Sequence, residues 1–258
     1  RACAESPNDV RTAMVRGHAI VPKFGPRVTD VLRGMLRPAL IPAPGKVLVV
    51  ADWAAIEARV NPWLSNCKSG EEKLALFATG ADVYKVNASA TFHVPVESVD
   101  KAQRQIGKVQ ELACGFAGGV GAFAAMVGRV VYLFDGLHLW YALPSGRVLC
   151  YPYARLEPDG ITYAKSAWKP AADAKEWPRA RLWKGLACEN ITQAVANDLL
   201  RHSLRQLDDV VLHVHDEIVV ETNAPDADAL RSIMCTPPDW AAGLPLDAEV
   251  SIMERYGK

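Results

Sequence analysis

The run Val-Val-Leu-His-Val-His-Asp-Glu-Ile-Val-Val-Glu (210–221) decides how the chain is read. On both sides of its centre the sequence is β-branched and reads as strand. Two acids, Asp216 and Glu217, sit where the strands would turn. A carboxylate at the junction of buried strands is costly without a partner, and the expected partner is a metal ion. Lys46-Val-Leu-Val-Val-Ala51 reads as another buried strand, and it ends at Asp52. Side by side, the two strands would bring Asp52 and Asp216 to one edge of a sheet. Two carboxylates and water make an oxygen-rich Mg²⁺ site whose remaining ligands are substrate phosphates.

Length and composition set the bounds. The chain has 258 residues, 50% hydrophobic and 22% charged. That suffices for one large domain or two modest ones. Lys and Arg total 29, as do Asp and Glu, so the net charge is zero. Such a balance neither favours nor excludes nucleic acid, because a local basic face can bind it. The six cysteines (3, 67, 114, 150, 188 and 235) show no Cys-x-x-Cys spacing and read as reduced thiols of a cytoplasmic protein. No apolar run reaches transmembrane length, and the N-terminus has no signal-peptide core, so no membrane partner is expected. Arg1 in place of an initiator Met suggests a fragment or a processed chain.

Residues 1–45 are weakly periodic and read as a peripheral lead-in, with Pro42-Ala-Pro-Gly45 turning into the first strand. Ala54–Val60 reads as a helix disturbed by Pro62 and carries Glu57 and Arg59 close behind Asp52. Further helices are predicted over Glu71–Ala78 and from Asp82, a candidate N-cap, to Phe92. The longest helix is expected over 95–116, with Ser98 as its cap. Arg104 and Lys108 stand four apart on one face of it, continued by Leu112 and Phe116. Two readings are open there: a solvated face or a phosphate-binding one. Gly118-Gly-Val-Gly121 lacks the P-loop pattern and reads as a turn.

Short strand-like pieces at Val130–Phe134, Leu137–Leu143, Val148–Tyr151 and Ile161–Ala164 suggest a small β-ribbon. Trp168, Trp177 and Trp183 read as packing residues. A helix over Arg181–Gln206 carries Glu189, Asn190, Gln193 and Asn197 on a polar stripe, facing either solvent or a groove. A helix over 226–235 and a strand over 246–253 close the chain.

Three of these stretches resemble the motifs of family A (DNA polymerase I-like) DNA polymerases. Val-Val-Ala-Asp-Trp-Ala-Ala-Ile-Glu-Ala-Arg (49–59) resembles motif A. Arg104-x-x-x-Lys108-x-x-x-Leu112-x-x-x-Phe116 resembles motif B, and His215-Asp216-Glu217 resembles motif C. The order is the same, and 107–123, Leu143-Pro-Ser-Gly-Arg147 and Glu189-Asn-Ile-Thr-Gln-Ala194 read like the phage and prophage branch. The resemblance covers nearly all of 30–258. It implies an α+β fold: an antiparallel-sheet palm of a right-hand polymerase, with helical fingers and a small β-ribbon. On this pattern, 1–94 would be the N-terminal part of the palm, 95–184 reduced fingers and 185–258 the C-terminal part of the palm.

The resemblance also implies roles. Asp52 and Asp216 would hold two Mg²⁺ ions (Mn²⁺ as a substitute), with Glu217 a secondary carboxylate. Arg104 and Lys108 would bind the β- and γ-phosphates of a dNTP, and Lys108 would protonate the leaving group. Leu112 and Phe116 would line the nucleotide site. Glu57 would be the steric gate against a ribose 2′-hydroxyl. Gln193, His215 and Arg59 would lie at the primer–template DNA.

The chain also departs from the pattern. Trp53, Ala54 and Ala55 replace the usual aromatic-Ser-Gln of motif A. Phe116 lacks the hydroxyl of the usual Tyr, so sugar selection would rest on Glu57 alone. Only about 27 residues separate Phe116 from Leu143, short for the usual finger helices. There is no room for a thumb or a 3′–5′ exonuclease, so a partner chain or a missing segment would supply the thumb, and DNA binding would be weak and salt-sensitive. The function expected is template-directed addition of dNMP to a primer 3′-hydroxyl. The alternatives are a non-catalytic or partner-dependent polymerase remnant and a single-subunit-type RNA polymerase, which Glu57 argues against. A metal-dependent nuclease would not need the Arg104/Lys108 helix.

Overall fold

Strand β1 (Val47–Trp53) is buried along most of its length: Leu48, Val49, Val50 and Ala51 are all within the core. A run this apolar on both faces fits only the interior of a sheet. In the computed structural model, which describes residues 6–16, 20–117, 129–165 and 177–257, β1 lies between β10 (Ala248–Met253) and β9 (Glu217–Thr222). Strand β8 (Val210–Val214) completes the order β10-β1-β9-β8. Strands β1 and β9 pair antiparallel from Val47 opposite Thr222 to Asp52 opposite Glu217. Strands β8 and β9 form a hairpin with an irregularity between Val210 and Leu212.

The chain divides into two units assembled from non-contiguous segments. The first comprises 1–52, 204–234 and 248–258 and contains this sheet except for Trp53. Leu48, Val50, Val219 and Tyr256 form its central cluster, with Leu212 and Met253 packed against them. Helices α1 (Pro7–Val15), α2 (Ile20–Phe24) and α3 (Val28–Gly34) form a second cluster from Val10, Ala13, Phe24, Val31 and Met35. The lead-in expected to be peripheral therefore has a core of its own. Its helices are five to nine residues long, too short for a clear 3.6-residue period. Far along the chain, Tyr256 N donates to Leu40 O (3.0 Å), and Arg255 bonds the Pro38 carbonyl, tying the C-terminal tail to this lead-in.

The second unit comprises 53–203 and 235–247. It holds α4 (Ile56–Ser65), α5 (Lys68–Ala78), α6 (Val83–Phe92), α7 (Lys101–Ala117) and α8 (Lys184–Leu204), of which Leu204 itself falls in the first unit. Helix α4 runs through Pro62 instead of breaking there. Helix α7 starts at Lys101, not near 95. Ser98 ends a short 3₁₀ turn, and Asp100 and Gln103 cap α7 reciprocally, each side chain accepting the other's backbone N–H (2.8 and 3.0 Å). Helices α6 and α7 pack closely: a Cβ on Gly107 would lie 2.1 Å from the Tyr84 carbonyl oxygen. Helices α6 and α7 lie in the same unit.

Two three-stranded antiparallel sheets follow: β2 (Val131–Phe134), β3 (Leu139–Ala142) and β4 (Val148–Tyr151), then β5 (Arg155–Glu157), β6 (Gly160–Ala164) and β7 (Arg179–Leu182). The expected ribbon is thus two sheets. Tyr141 and Tyr151 stack at 5.2 Å, Tyr163 meets Tyr151 edge-on at 5.0 Å, and Asn190 of α8 donates to the Tyr151 hydroxyl (3.1 Å). Helix α8 begins after Arg181, which belongs to β7. Helix α9 (Ala227–Cys235) belongs to the first unit except for Cys235.

No helix among the described residues is long and apolar enough to cross a membrane. No disulfide joins Cys67, Cys150, Cys188 or Cys235. The Gly118–Gly121 stretch and Trp168 lie outside the described residues. Trp177 and Trp183, read as packing residues, are exposed.

Candidate active site

In the first unit the sheet register does what the opening sequence required. Asp52 stands opposite Glu217, so Asp216, one residue earlier, lies at the same end of the sheet. Val214 pairs with Glu217, which leaves His215 and Asp216 as a two-residue turn. His215 is exposed and has φ of 55°, a region that non-glycine residues seldom occupy. Ala55, three residues beyond Asp52, is also left-handed, with φ of 57°. Backbone held in this region next to two half-buried acids is the kind of local cost found at functional turns.

Glu217 departs from expectation. Adjacent residues of a strand face opposite sides of a sheet. Glu217 faces inward, is 6% exposed, and accepts a hydrogen bond from the Tyr256 hydroxyl. Burial, then the hydrogen bond to Glu217 and that carboxylate's charge, push the Tyr256 phenol up to about 12. The Arg37 guanidinium lies over the same ring at 5.5 Å. Among the described residues no three His, Cys, Asp or Glu side chains gather to hold a metal. Asp52, directly opposite Glu217 in the register, has its side chain on the same face, and its charge also acts on Tyr256. Two half-buried carboxylates at one sheet end still suit a hard divalent cation whose remaining ligands are waters and substrate phosphates.

In the second unit, α6 and α7 bring the cations together. The Asp82 carboxylate caps α6, accepting from Tyr84 N (3.1 Å) and Lys85 N (3.2 Å) through one oxygen. Its other oxygen accepts from Arg104 Nε at 2.6 Å. The Tyr84 ring lies under both cations, 5.2 Å from the Arg104 guanidinium and 5.8 Å from Lys108 Nζ. Burial, helped by the charges of Glu111 and Glu57, pushes the Tyr84 phenol up to about 12. Arg104 and Lys108 thus share one face, and that face has an aromatic floor. Helix α7 continues through Leu112 and Phe116, whose side chains lie outside the described residues. Behind the face, Glu111 is 7% exposed and bonds Lys73 Nζ (2.8 and 2.9 Å) and Asn87 Nδ2 (2.8 Å).

Glu57 and Gln193 also meet: the Gln193 amide donates to the Glu57 carboxylate. Arg59 is only 6% exposed. Its guanidinium donates to the Ala54 carbonyl (2.7 Å) and the Pro245 carbonyl (2.9 Å), sits 3.8 Å from Asp247, and lies over the Phe77 ring at 4.4 Å. Burial lowers its pKa. Arg59 is thus held to the backbone of its own unit, at residues 54 and 245. A cleft of about 150 Å³ lies in this unit, lined by Arg59, Phe77, Asp82, Tyr84, Arg104 and Asp247 among others. Sequence reading assigned no such role to Tyr84 or Tyr256 and saw Asp82 only as a cap. Their partners lie 20 to 40 residues away in sequence for Asp82 and Tyr256, where no local spacing signals them.

No protein-family model matches the chain. In sequence it is 33% identical over 316 residues to a DNA polymerase of Bacillus phage SP02, a match covering 98% of the chain and 48% of the phage protein. It is 25% identical over 248 residues to the thermostable DNA polymerase I of Thermus aquaticus, covering 86% of the chain and 28% of that enzyme. The chain is a relative of the DNA polymerase I-like DNA polymerases. It spans about half the length of the phage relative and less of the Thermus one. The phage match runs over more positions than the chain has residues, so that relative carries insertions within the matched span. In fold, the chain is similar to the POL domain of Pol1 from M. smegmatis, solved in complex with DNA primer-template and dNTP. The TM-score is 0.54 at 19% identity, over 85% of this chain and 42% of that one. That likeness concerns the fold, and it agrees with the α+β, antiparallel-sheet architecture that the motifs implied.

Proposed function

We propose that this chain is a DNA-directed DNA polymerase module that adds dNMP to a primer 3′-hydroxyl under template direction. The observation that carries the reading is the sheet register, which sets Asp52 opposite Glu217 and so brings Asp216 to the same sheet end, in a relative of DNA polymerases. Asp52 and Asp216 would hold Mg²⁺, which supplies Lewis-acid activation of the attacking hydroxyl and charge neutralisation at the leaving pyrophosphate. Arg104 and Lys108 bind the β- and γ-phosphates, and Lys108 donates the proton to the leaving group. Glu57 closes the space of a ribose 2′-hydroxyl, and Gln193 holds Glu57 in place. Glu217 acts through packing: with Tyr256 it fixes the start of β9 beside Asp216. His215, exposed on the turn, faces the primer end.

Primer extension at low salt with Mg²⁺ and each dNTP singly, wild type beside Asp216→Ala, tests the reading. Template-directed addition that disappears in Asp216→Ala is the expected result. Extension by Asp216→Ala at the wild-type rate overturns the assignment of the two aspartates. A folded wild-type chain that binds primer–template without extending it favours a partner-dependent module.

A further inference from the structure

Asp82 is placed to do more than cap a helix. One of its oxygens is occupied by the amides of Tyr84 and Lys85, so the carboxylate cannot swing away without uncapping α6. The other lies 2.6 Å from Arg104 Nε, in a charge-assisted bond at a half-buried position. Tyr84, two residues along, lies beneath both Arg104 and Lys108. A polyanion that engages these two cations therefore meets a negative charge already fixed beside one of them.

We propose that Asp82 sets the affinity of the Arg104/Lys108 face for a triphosphate by acting as an internal competing anion. The inference rests on the reading of that face as the triphosphate site. Part of the Arg104 charge is neutralised before any phosphate arrives, and the carboxylate repels the incoming oxygens. The same bond keeps the guanidinium placed while no phosphate is present. The face then holds a triphosphate less tightly than its two cations alone would.

The test is calorimetric titration of the full 258-residue chain with magnesium tripolyphosphate, comparing wild type, Asp82→Asn, Asp82→Ala, Arg104→Gln and Asp82→Asn/Arg104→Gln, with a thermal melt of each. Asn caps a helix as well as Asp does, so Asp82→Asn removes charge and spares the cap. Binding by Asp82→Asn should tighten about 3- to 10-fold, and the gain should shrink below about twofold in the Arg104→Gln background. Asp82→Ala should tighten to the same degree if charge alone is responsible. Tightening confined to Asp82→Ala would trace to the lost cap and overturn the inference. Unchanged or weaker binding in Asp82→Asn, with Arg104→Gln still weakened, overturns it as well and leaves the phosphate face standing. Tripolyphosphate binding that is absent in wild type, or equal in Arg104→Gln, overturns the phosphate role of Arg104 and this inference together.

Discussion

At the residue scale, several charged groups are bonded within the fold. Glu217 and Arg59 both lie in stretches that resemble polymerase motifs, and both are buried and bonded within their own unit. Tyr256→Phe should leave the buried Glu217 carboxylate short of a donor and cost about 1–3 kcal/mol in urea denaturation. Tyr84 and Tyr256 both have phenols raised from the ordinary 10.0 to about 12. A folded-state value above the unfolded one means the fold favours the neutral phenol. That contribution is complete below pH 10 and is lost as pH climbs from about 10 to about 12. Absorbance titration at 295 nm should therefore show late-ionising tyrosines, with unfolding in the same range. Phenols that all ionise near 10 with the protein still folded would contradict the buried placement. Glu57→Ala should raise the ratio of rNTP to dNTP incorporation. Gln193→Ala should raise it by a smaller factor, because it frees the carboxylate without removing it. Competitive primer extension reads both, and an unchanged ratio in Glu57→Ala removes it as the gate.

At the scale of elements, contacts between neighbours explain where sequence reading succeeded and where it failed. The strands around Asp52 and Asp216 and the helix from Asp82 were legible because their residue types and caps are local signals. The start of α7 was misplaced because Ser98 and Asp100 are both good caps, and only the Asp100–Gln103 reciprocity settles which one acts. Strands β5 and β7 escaped notice because they are three and four residues long and half-exposed or exposed, with little apolar alternation. The α6–α7 contact makes a sharp prediction. A methyl group at Gly107 would meet backbone, the Tyr84 carbonyl at 2.1 Å and Ala88 N at 3.1 Å, so the helices must part. Gly107→Ala should cost about 1–3 kcal/mol in chemical denaturation, despite the better helix propensity of Ala. It should also weaken tripolyphosphate binding, because Arg104 and Lys108 sit on the displaced helix. A neutral or stabilising effect would show that α6 and α7 are not held this closely.

At the scale of the whole molecule, the net charge of the 258 residues is zero, so the proposed DNA binding would rest on local basic faces. Primer–template binding should fall steeply from low to physiological salt, toward a dissociation constant of about 10⁻⁴–10⁻⁶ M. Fluorescence anisotropy at two salt concentrations measures this, and a salt-independent affinity would point to binding not dominated by phosphates. The two units are each stitched from segments far apart in sequence, so the contiguous boundaries read from the motifs do not coincide with them. Local patterns fix the apolar strands that end in acids and the helix with two cations one turn apart. Local periodicity, caps and turn residues are enough for that. Which side chain meets which is settled by packing: Glu217 with Tyr256, Gln193 on Glu57 across 136 residues, and Asp82 on Arg104 across 22. The physical reason is that such pairings depend on how packed elements bring distant residues together, and no local pattern in the chain encodes that.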